Sequence, residues 1–268
     1  MCLFKFRQLL YIIIMDGDKM AWESNQYLKF EKERTQPSND LISRLDDDYK
    51  DILDLGCGPA NSTYQLSKRF KNSNIVGFDA DINMLNKAKE KHPEFKYIHG
   101  YAPDDLSGKY DLIFSNACIH WIKDQKGLIK KVYEMLNENG CFAVQIPLTE
   151  EASFYKILYS LIDKKWKNLS GVKNFYNYDQ YGYYNELSKL YKEVIIWKTD
   201  YHHIVSSAEE ILEWYKGSGL RPYLEILDED KKEDFLNDLL TEIKKQYKQL
   251  NDGSYFLIMP RLFFIAKK

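Results

Sequence analysis

The sequence predicts an α/β fold: a doubly wound, mostly parallel sheet of seven strands with a helical cap. Three observations predict it. Short apolar runs of strand length alternate with stretches of helical periodicity between residues 51 and 146, which is the signature of βα units feeding a parallel sheet. The first apolar run, Asp51 to Leu55, ends in Gly56-Cys57-Gly58-Pro59, and a buried strand that stops on glycines is entering a tight turn. Two further β-rich runs, 194–203 and 255–266, come after a helical interval and complete the sheet, leaving helices over for a cap.

The elements follow in order. Asn61 and Ser62 are good helix caps, and Tyr64, Leu66, Ser67 and Phe70 then give one apolar face at helical spacing. Residues 75–79 form the second strand, and Met84, Leu85 and Ala88 mark a helix stopped by His92-Pro93, with His92 expected as a solvated helix end. The third and fourth strands lie at 95–99 and 110–115. Leu128, Ile129, Val132, Tyr133 and Leu136 form a helical stripe closed by Asn137-Glu138-Asn139-Gly140, and 141–146 is the fifth strand. The stretch 150–192 is helical and rich in tyrosine, read as cap packing. A helix opens at Ser207, and 228–250 is another, with the charge run Asp228 to Asp234 on a solvated face. The last run, 255–266, is broken by Pro260-Arg261. The organisation expected is an over-extended start at 1–19, N-terminal helices and a cofactor-binding core at 20–149, a helical cap segment at 150–192, and the last strands with inserted cap helices at 193–268.

The chain has 268 residues, 44% hydrophobic and 29% charged, which is globular composition. Its formal net charge of −2 gives no general attraction to nucleic-acid phosphates or anionic lipid. Cys2, Cys57, Cys118 and Cys141 show no CxxC spacing, so free thiols and a cytoplasmic location are expected. The apolar run from Leu9 to Met15 is too short to span a bilayer and lacks a small-residue cleavage site. Translation is expected to begin at Met20 or Met15.

The strongest motif is Asp54-Leu-Gly56-Cys-Gly58 at a strand-to-helix turn, with Asp79 ending the next strand, 21 residues beyond Gly58. Glycines let the backbone approach a ligand closely, and the second acid can accept both ribose hydroxyls, so an adenosine-containing cofactor is the natural guest. A dinucleotide fingerprint would need glycine where Asn61 stands. Asp54, two residues before the first glycine, suits a cationic head. The loop therefore favours a cofactor without a pyrophosphate, and a nicotinamide oxidoreductase ranks low.

This motif resembles that of class I S-adenosylmethionine-dependent methyltransferases. Over about 20–268 the likeness extends to the trans-aconitate 2-methyltransferase family, through Trp22, Tyr27-Leu28-Lys29-Phe30, Glu33-Arg34, Pro37, Trp197 to His203, Trp214, Gly219-Leu220-Arg221-Pro222 and Pro260-Arg261-Leu262-Phe263. The resemblance implies a Rossmann-like methyltransferase fold and S-adenosyl-L-methionine as cofactor, bound by Asp54, Gly56, Cys57, Gly58, Asp79, Ala80, Tyr101, Asn116 and Ala117. Where the family places an acid near the adenine, this chain has Gly100-Tyr101, so Tyr101, Asp104 or Asp105 is expected there. His120 replaces the family's glutamine before Trp121, and Leu148-Thr149 follow Ile146-Pro147.

The implied reaction is methyl transfer to a carboxylate of a small polycarboxylic acid, trans-aconitate or a close analogue. A carboxylate is ionised at neutral pH and needs no general base. Positioning is what remains, expected from His120, Trp121, Arg221, Arg261, Tyr27 and His203, with Tyr201 as a further donor and Arg34 divided between substrate and its neighbour Glu33. The alternatives are methylation of another small metabolite's hydroxyl or amine with His120 or His203 as base, or a cofactor-binding module without turnover. No metal, nucleic-acid or membrane partner is expected, and the chain is expected to be a monomer.

Overall fold

The computed structural model describes residues 31–45, 48–172 and 175–268. The expected start at 1–19, Tyr27 and Trp22 lie outside the described residues, as do the side chains of Glu33 and Arg34. The elements are α1 (Glu31–Ser43), β1 (Asp51–Leu55), α2 (Asn61–Arg69), β2 (Asn74–Asp79), α3 (Ile82–Lys91), β3 (Lys96–His99), β4 (Tyr110–Asn116), a 3-10 turn (Ile119–Trp121), α4 (Gln125–Met135), β5 (Leu136–Pro147), α5 (Ser153–Lys164), α6 (Gln180–Leu187), β6 (Glu193–Val205), α7 (Ala208–Lys216), α8 (Arg221–Glu225), α9 (Glu229–Gln246) and β7 (Tyr255–Lys267). Seven strands form one sheet in the order β3-β2-β1-β4-β5-β7-β6. Every pairing is parallel except those of β7, which runs antiparallel to β5 and β6.

Side-chain alternation divides the core. Ile52, Leu112, Phe114, Cys141, Ala143, Phe263 and Ile265 face α1 and α2, whereas Leu53, Ile113, Phe142, Val144, Leu262 and Phe264 face α4 and α6. A third cluster belongs to the cap. There Phe154, Leu158, Ile211, Leu220, Tyr223, Phe235 and Leu239 pack onto Val205, Leu257 and Met259. Those last residues sit where β6 and β7 continue as a two-stranded ribbon past the end of β5, whose final pair is Pro147 with Arg261. The cap is founded on this overhang.

Three local expectations change. Pro260 does not break the last strand, because β7 runs through it opposite Asp200. Its carbonyl accepts from Leu148, so its missing N–H also points to the flank where β5 has ended, and no β6 ladder bond is lost. Residues 137–140 are not the turn closing a helix but an excursion within β5: the register shifts between Tyr110 and Leu112, and Asn139 takes a positive φ of 62°. His92 is not solvated. It is buried and stacked on Tyr64, with ring centroids 4.6 Å apart. The Asp228–Asp234 run does lie on the outer side of the cap, and Cys57, Cys118 and Cys141 are free thiols; Cys2 is outside the described residues. No helix among those residues is long and apolar enough to cross a membrane.

Phe235 anchors the cap: it is fully buried and meets Trp166 edge-on at 5.2 Å, while the Trp166 indole donates to Asp238. Phe235→Ala is expected to cost about 3–5 kcal/mol. Chemical denaturation measures this, and a loss below about 1 kcal/mol would show that the cap does not depend on that ring.

Candidate active site

The sheet reverses its winding between β1 and β4, so a crevice opens at the carboxyl ends of those strands. The loop after β1 lines it. Gly56 and Cys57 donate their N–H groups to the Phe78 carbonyl at 2.7 and 3.1 Å, which ties the loop to β2. Gly56 has a φ of 77°, and a Cβ there would collide with the Cys118 side chain, so only glycine lets the two loops close together. Ala60 and Ala117 also take left-handed backbone, with φ of 69° and 53°, a strain that concentrates where function is housed.

The carboxylates are held tightly. Alternation turns Asp54 toward α2, where its Oδ2 accepts from the Ser62 and Thr63 hydroxyls, each at 2.7 Å, and Oδ1 is buried with no hydrogen-bond partner. Burial raises the Asp54 carboxyl from 3.8 to about 6 against the opposing hydrogen bonds of Thr63 and Ser62, and the Asp79 charge adds to the rise. Asp79 Oδ2 accepts from the Gly58 N–H and its Oδ1 from the Asp81 N–H, both at 2.8 Å. Burial raises Asp79 as well.

Beside this crevice one cation stands among neutral rings. Arg261, half-buried on β7, exerts its charge on His120, Tyr155, Tyr201 and Tyr215. His120 is 3% exposed, its Nδ1 has no hydrogen-bond partner, and burial followed by the Arg261 charge lowers it to about 3, so the ring is neutral. Its ring packs on Trp121 and Phe175 at 5.0 and 5.4 Å, and Phe175 continues to Tyr155 at 5.6 Å. A Cβ at Gly219 would collide with the Tyr155 hydroxyl, so the Gly219-Leu220 turn seats the cap directly on this cluster. Tyr201 donates to Asp40 of α1.

Comparison with known proteins agrees with this architecture. Residues 52–140 match a family described as "Methyltransferase domain". The chain is 35% identical over 255 residues to the trans-aconitate 2-methyltransferase of Agrobacterium fabrum, covering 93% of this chain and 100% of the relative. The enzyme of that name from Rhizobium etli gives 35% over 258 residues, with the same coverage. The chain belongs to the trans-aconitate 2-methyltransferase family. Among solved structures, the YcgJ protein of Bacillus subtilis superposes with a TM-score of 0.57 at 13% identity, over 87% of this chain and 98% of that one. The plantazolicin methyltransferase BpumL in complex with SAH gives 0.52 at 14%, over 95% and 92%. Both carry the same fold.

The family's cofactor, S-adenosylmethionine, can be tested against the residues present, and they fit. Asp54 Oδ1 and Asn116 Oδ1 are buried acceptors without a partner, as a methionyl ammonium requires. Beside Gly58 no atom lies within 4 Å of where a Cβ would stand, so its backbone is open to approach. Ala80 follows Asp79 at the rim, where its carbonyl meets His99 Nε2 at 3.0 Å. Cys57 faces inward against Gly77 and offers only backbone to the crevice. Tyr101 is 45% exposed just past the end of β3, and Asp105 accepts from the Tyr101 N–H at 2.8 Å with one oxygen, while Asp104 beside it is exposed.

Not all the expected positioning residues come together. Trp121 adjoins His120. Arg221 opens α8 with its Nε 2.8 Å from Glu225, so its charge is matched within its own helix. His203 stacks on Trp214 at 5.3 Å and is part of the cap's foundation. It pairs with Leu257 whereas Arg261 pairs with Thr199, a separation of about 13 Å along the ladder. Sequence reasoning passed over Gln145, 1% exposed on β5 with no partner for its Nε2, and Ser38 of α1, equally buried with a partnerless Oγ. A lone amide inside the apolar run Cys141 to Ile146 was the available signal for the first.

The raised Asp54 carboxyl has a thermodynamic consequence. The folded protein holds this proton more tightly than the unfolded chain does, so stability from this group falls as pH rises from about 4 to about 6, by on the order of 3 kcal/mol. Asp54→Asn is expected to gain on wild type across that interval and to hold a constant advantage above it. Unfolding free energies of the two proteins at several pH values measure the difference, and one independent of pH would contradict the assignment.

Proposed function

We propose that this protein transfers a methyl group from S-adenosylmethionine to one carboxylate of trans-aconitate, forming a methyl ester. The observation that carries the reading is the half-buried Arg261 guanidinium, surrounded by neutral His120 and by phenols beside the cofactor crevice. A guanidinium with neutral donor groups around it is a seat for a carboxylate. The names of the curated relatives supply the acid.

S-adenosylmethionine supplies an electrophilic methyl on a sulfonium, which an anionic oxygen can take by in-line displacement. The residues do the rest. Asp54 and Asn116 offer acceptors to a cationic amine, and Asp79, fixed by two backbone N–H groups, offers its remaining lone pairs to ribose hydroxyls. Arg261 holds a carboxylate of the acid, while the ring chain from Trp121 through Phe175 to Tyr155 excludes water that would solvate the nucleophile. No base is needed, since the acid is ionised at neutral pH. Methylation of a hydroxyl or amine is disfavoured: a general base works best with a pKa near the operating pH, and His120 is held at about 3.

Incubation with S-adenosylmethionine and a panel of carboxylic acids, with mass-spectrometric detection of the ester, tests the reading. Trans-aconitate is expected to be methylated, and Arg261→Ala to lower kcat/KM by roughly 10- to 150-fold, the worth of a hydrogen bond to a charged group. His120→Asn is expected to keep most of the rate, with a profile flat between pH 6.5 and 8.5. Consumption of the cofactor without esterification of any acid, or a rate that tracks a base titrating near pH 7, would overturn the proposal.

A further inference from the structure

Among the described residues, the buried polar atoms without a hydrogen-bond partner concentrate at one place. Asp54 Oδ1, Asn116 Oδ1 and Gln145 Nε2 belong to neighbouring strands β1, β4 and β5 and project from the same face of the sheet, with Asn116 directly beside Gln145. Arg261 is on that face too, as the diagonal neighbour of Gln145: the residue opposite Gln145 is Phe263, and Arg261 lies two positions further along β7. Diagonal neighbours are within reach of one another's long side chains. Helix α1 covers this row. Its sheet-facing stripe is Ser38, Leu41, Ile42 and Leu45, and the helix descends from the strand ends, since Asp40 meets Tyr201 while Leu45 accepts from Arg69 at the far end of α2. Ser38 Oγ, also without a partner, stands on that stripe one turn before Leu41 and Ile42.

The row is sorted by polarity. Asp54 Oδ1 and Asn116 Oδ1 are acceptors and suit a cation; Gln145 Nε2 and Arg261 are donors and suit an anion. Gln145 stands at the changeover, between the half that fits a cationic amine and the cation that fits a carboxylate.

We propose that Gln145 Nε2 is a second carboxylate seat: it holds the carboxylate of the polycarboxylate substrate that lies nearest the cofactor, while Arg261 holds another. The inference deepens the functional reading above and rests on it. Gln145 then determines specificity, because an acid with one carboxylate fewer leaves the buried amide or the guanidinium without its partner.

Isothermal titration in saturating S-adenosylhomocysteine tests the seat, using trans-aconitate and the three dicarboxylates that each lack one of its carboxylates: mesaconate, itaconate and cis-glutaconate. Gln145→Leu is expected to weaken trans-aconitate at least about tenfold, to leave S-adenosylhomocysteine affinity within about twofold, and to have no effect on the one dicarboxylate that lacks the carboxylate held there. Gln145→Asn, which keeps the amide but withdraws it by one methylene, is expected to reproduce the pattern at smaller amplitude, and carries the same comparison if Gln145→Leu does not fold. Loss of S-adenosylhomocysteine affinity with the acid unaffected would assign the seat to the cofactor's own carboxylate and overturn the proposal. Equal loss for all three dicarboxylates, or no loss at all, would overturn it in favour of a purely structural role. Wild-type protein that binds S-adenosylhomocysteine but none of the acids would overturn the functional reading and this seat with it, a result distinguishable because it needs no variant.

Discussion

Parallel pairing of β1 with β4 in the middle of the sheet is the constraint from which the site follows. Asp54 lies opposite Phe114, so both strands end at one edge, and their connections leave to opposite flanks, α2 packing with one core cluster and α4 with the other. The crevice is a product of that topology rather than of any single side chain. Closing it requires the two loops to touch, which the Gly56 contact with Cys118 and the Ser115 hydrogen bond to the Leu55 carbonyl at 2.8 Å both accomplish.

On that edge the protein accepts local cost. Each buried polar atom without a partner is worth about 1–3 kcal/mol of lost stability, and left-handed alanines add to it. Among the described residues such costs gather at this edge, although Tyr191, Tyr247 and the left-handed Asn139 carry others elsewhere. The polarity of the row then divides the edge into a half suited to a cationic amino-acid head and a half suited to a polyanion.

Much of the fold was legible because contiguous residues dictate it: Asp54 to Gly58 and Asp79 are adjacent to the strand ends they occupy. The overhanging β6–β7 ribbon was not, since a proline within the run Tyr255 to Ala266 reads as an interruption until the end of β5 is known. His92 and His203 illustrate the same limit, for each is explained by a ring, Tyr64 or Trp214, that tertiary packing brings to it. Arg261 was visible as a cation in an apolar setting. Its neighbour Gln145 was not, because antiparallel pairing joins segments distant in the chain. Arg221 looked equivalent to Arg261 in sequence, yet its helix supplies Glu225 as partner.

The most direct measurement is a crystal structure of the protein with S-adenosylhomocysteine and trans-aconitate bound together. The account predicts the amine of the first within hydrogen-bond distance of the Asp54 and Asn116 side chains, and a carboxylate of the second on the Arg261 guanidinium. An acid bound away from Arg261, or an amine on the Gln145 side of the row, would contradict it.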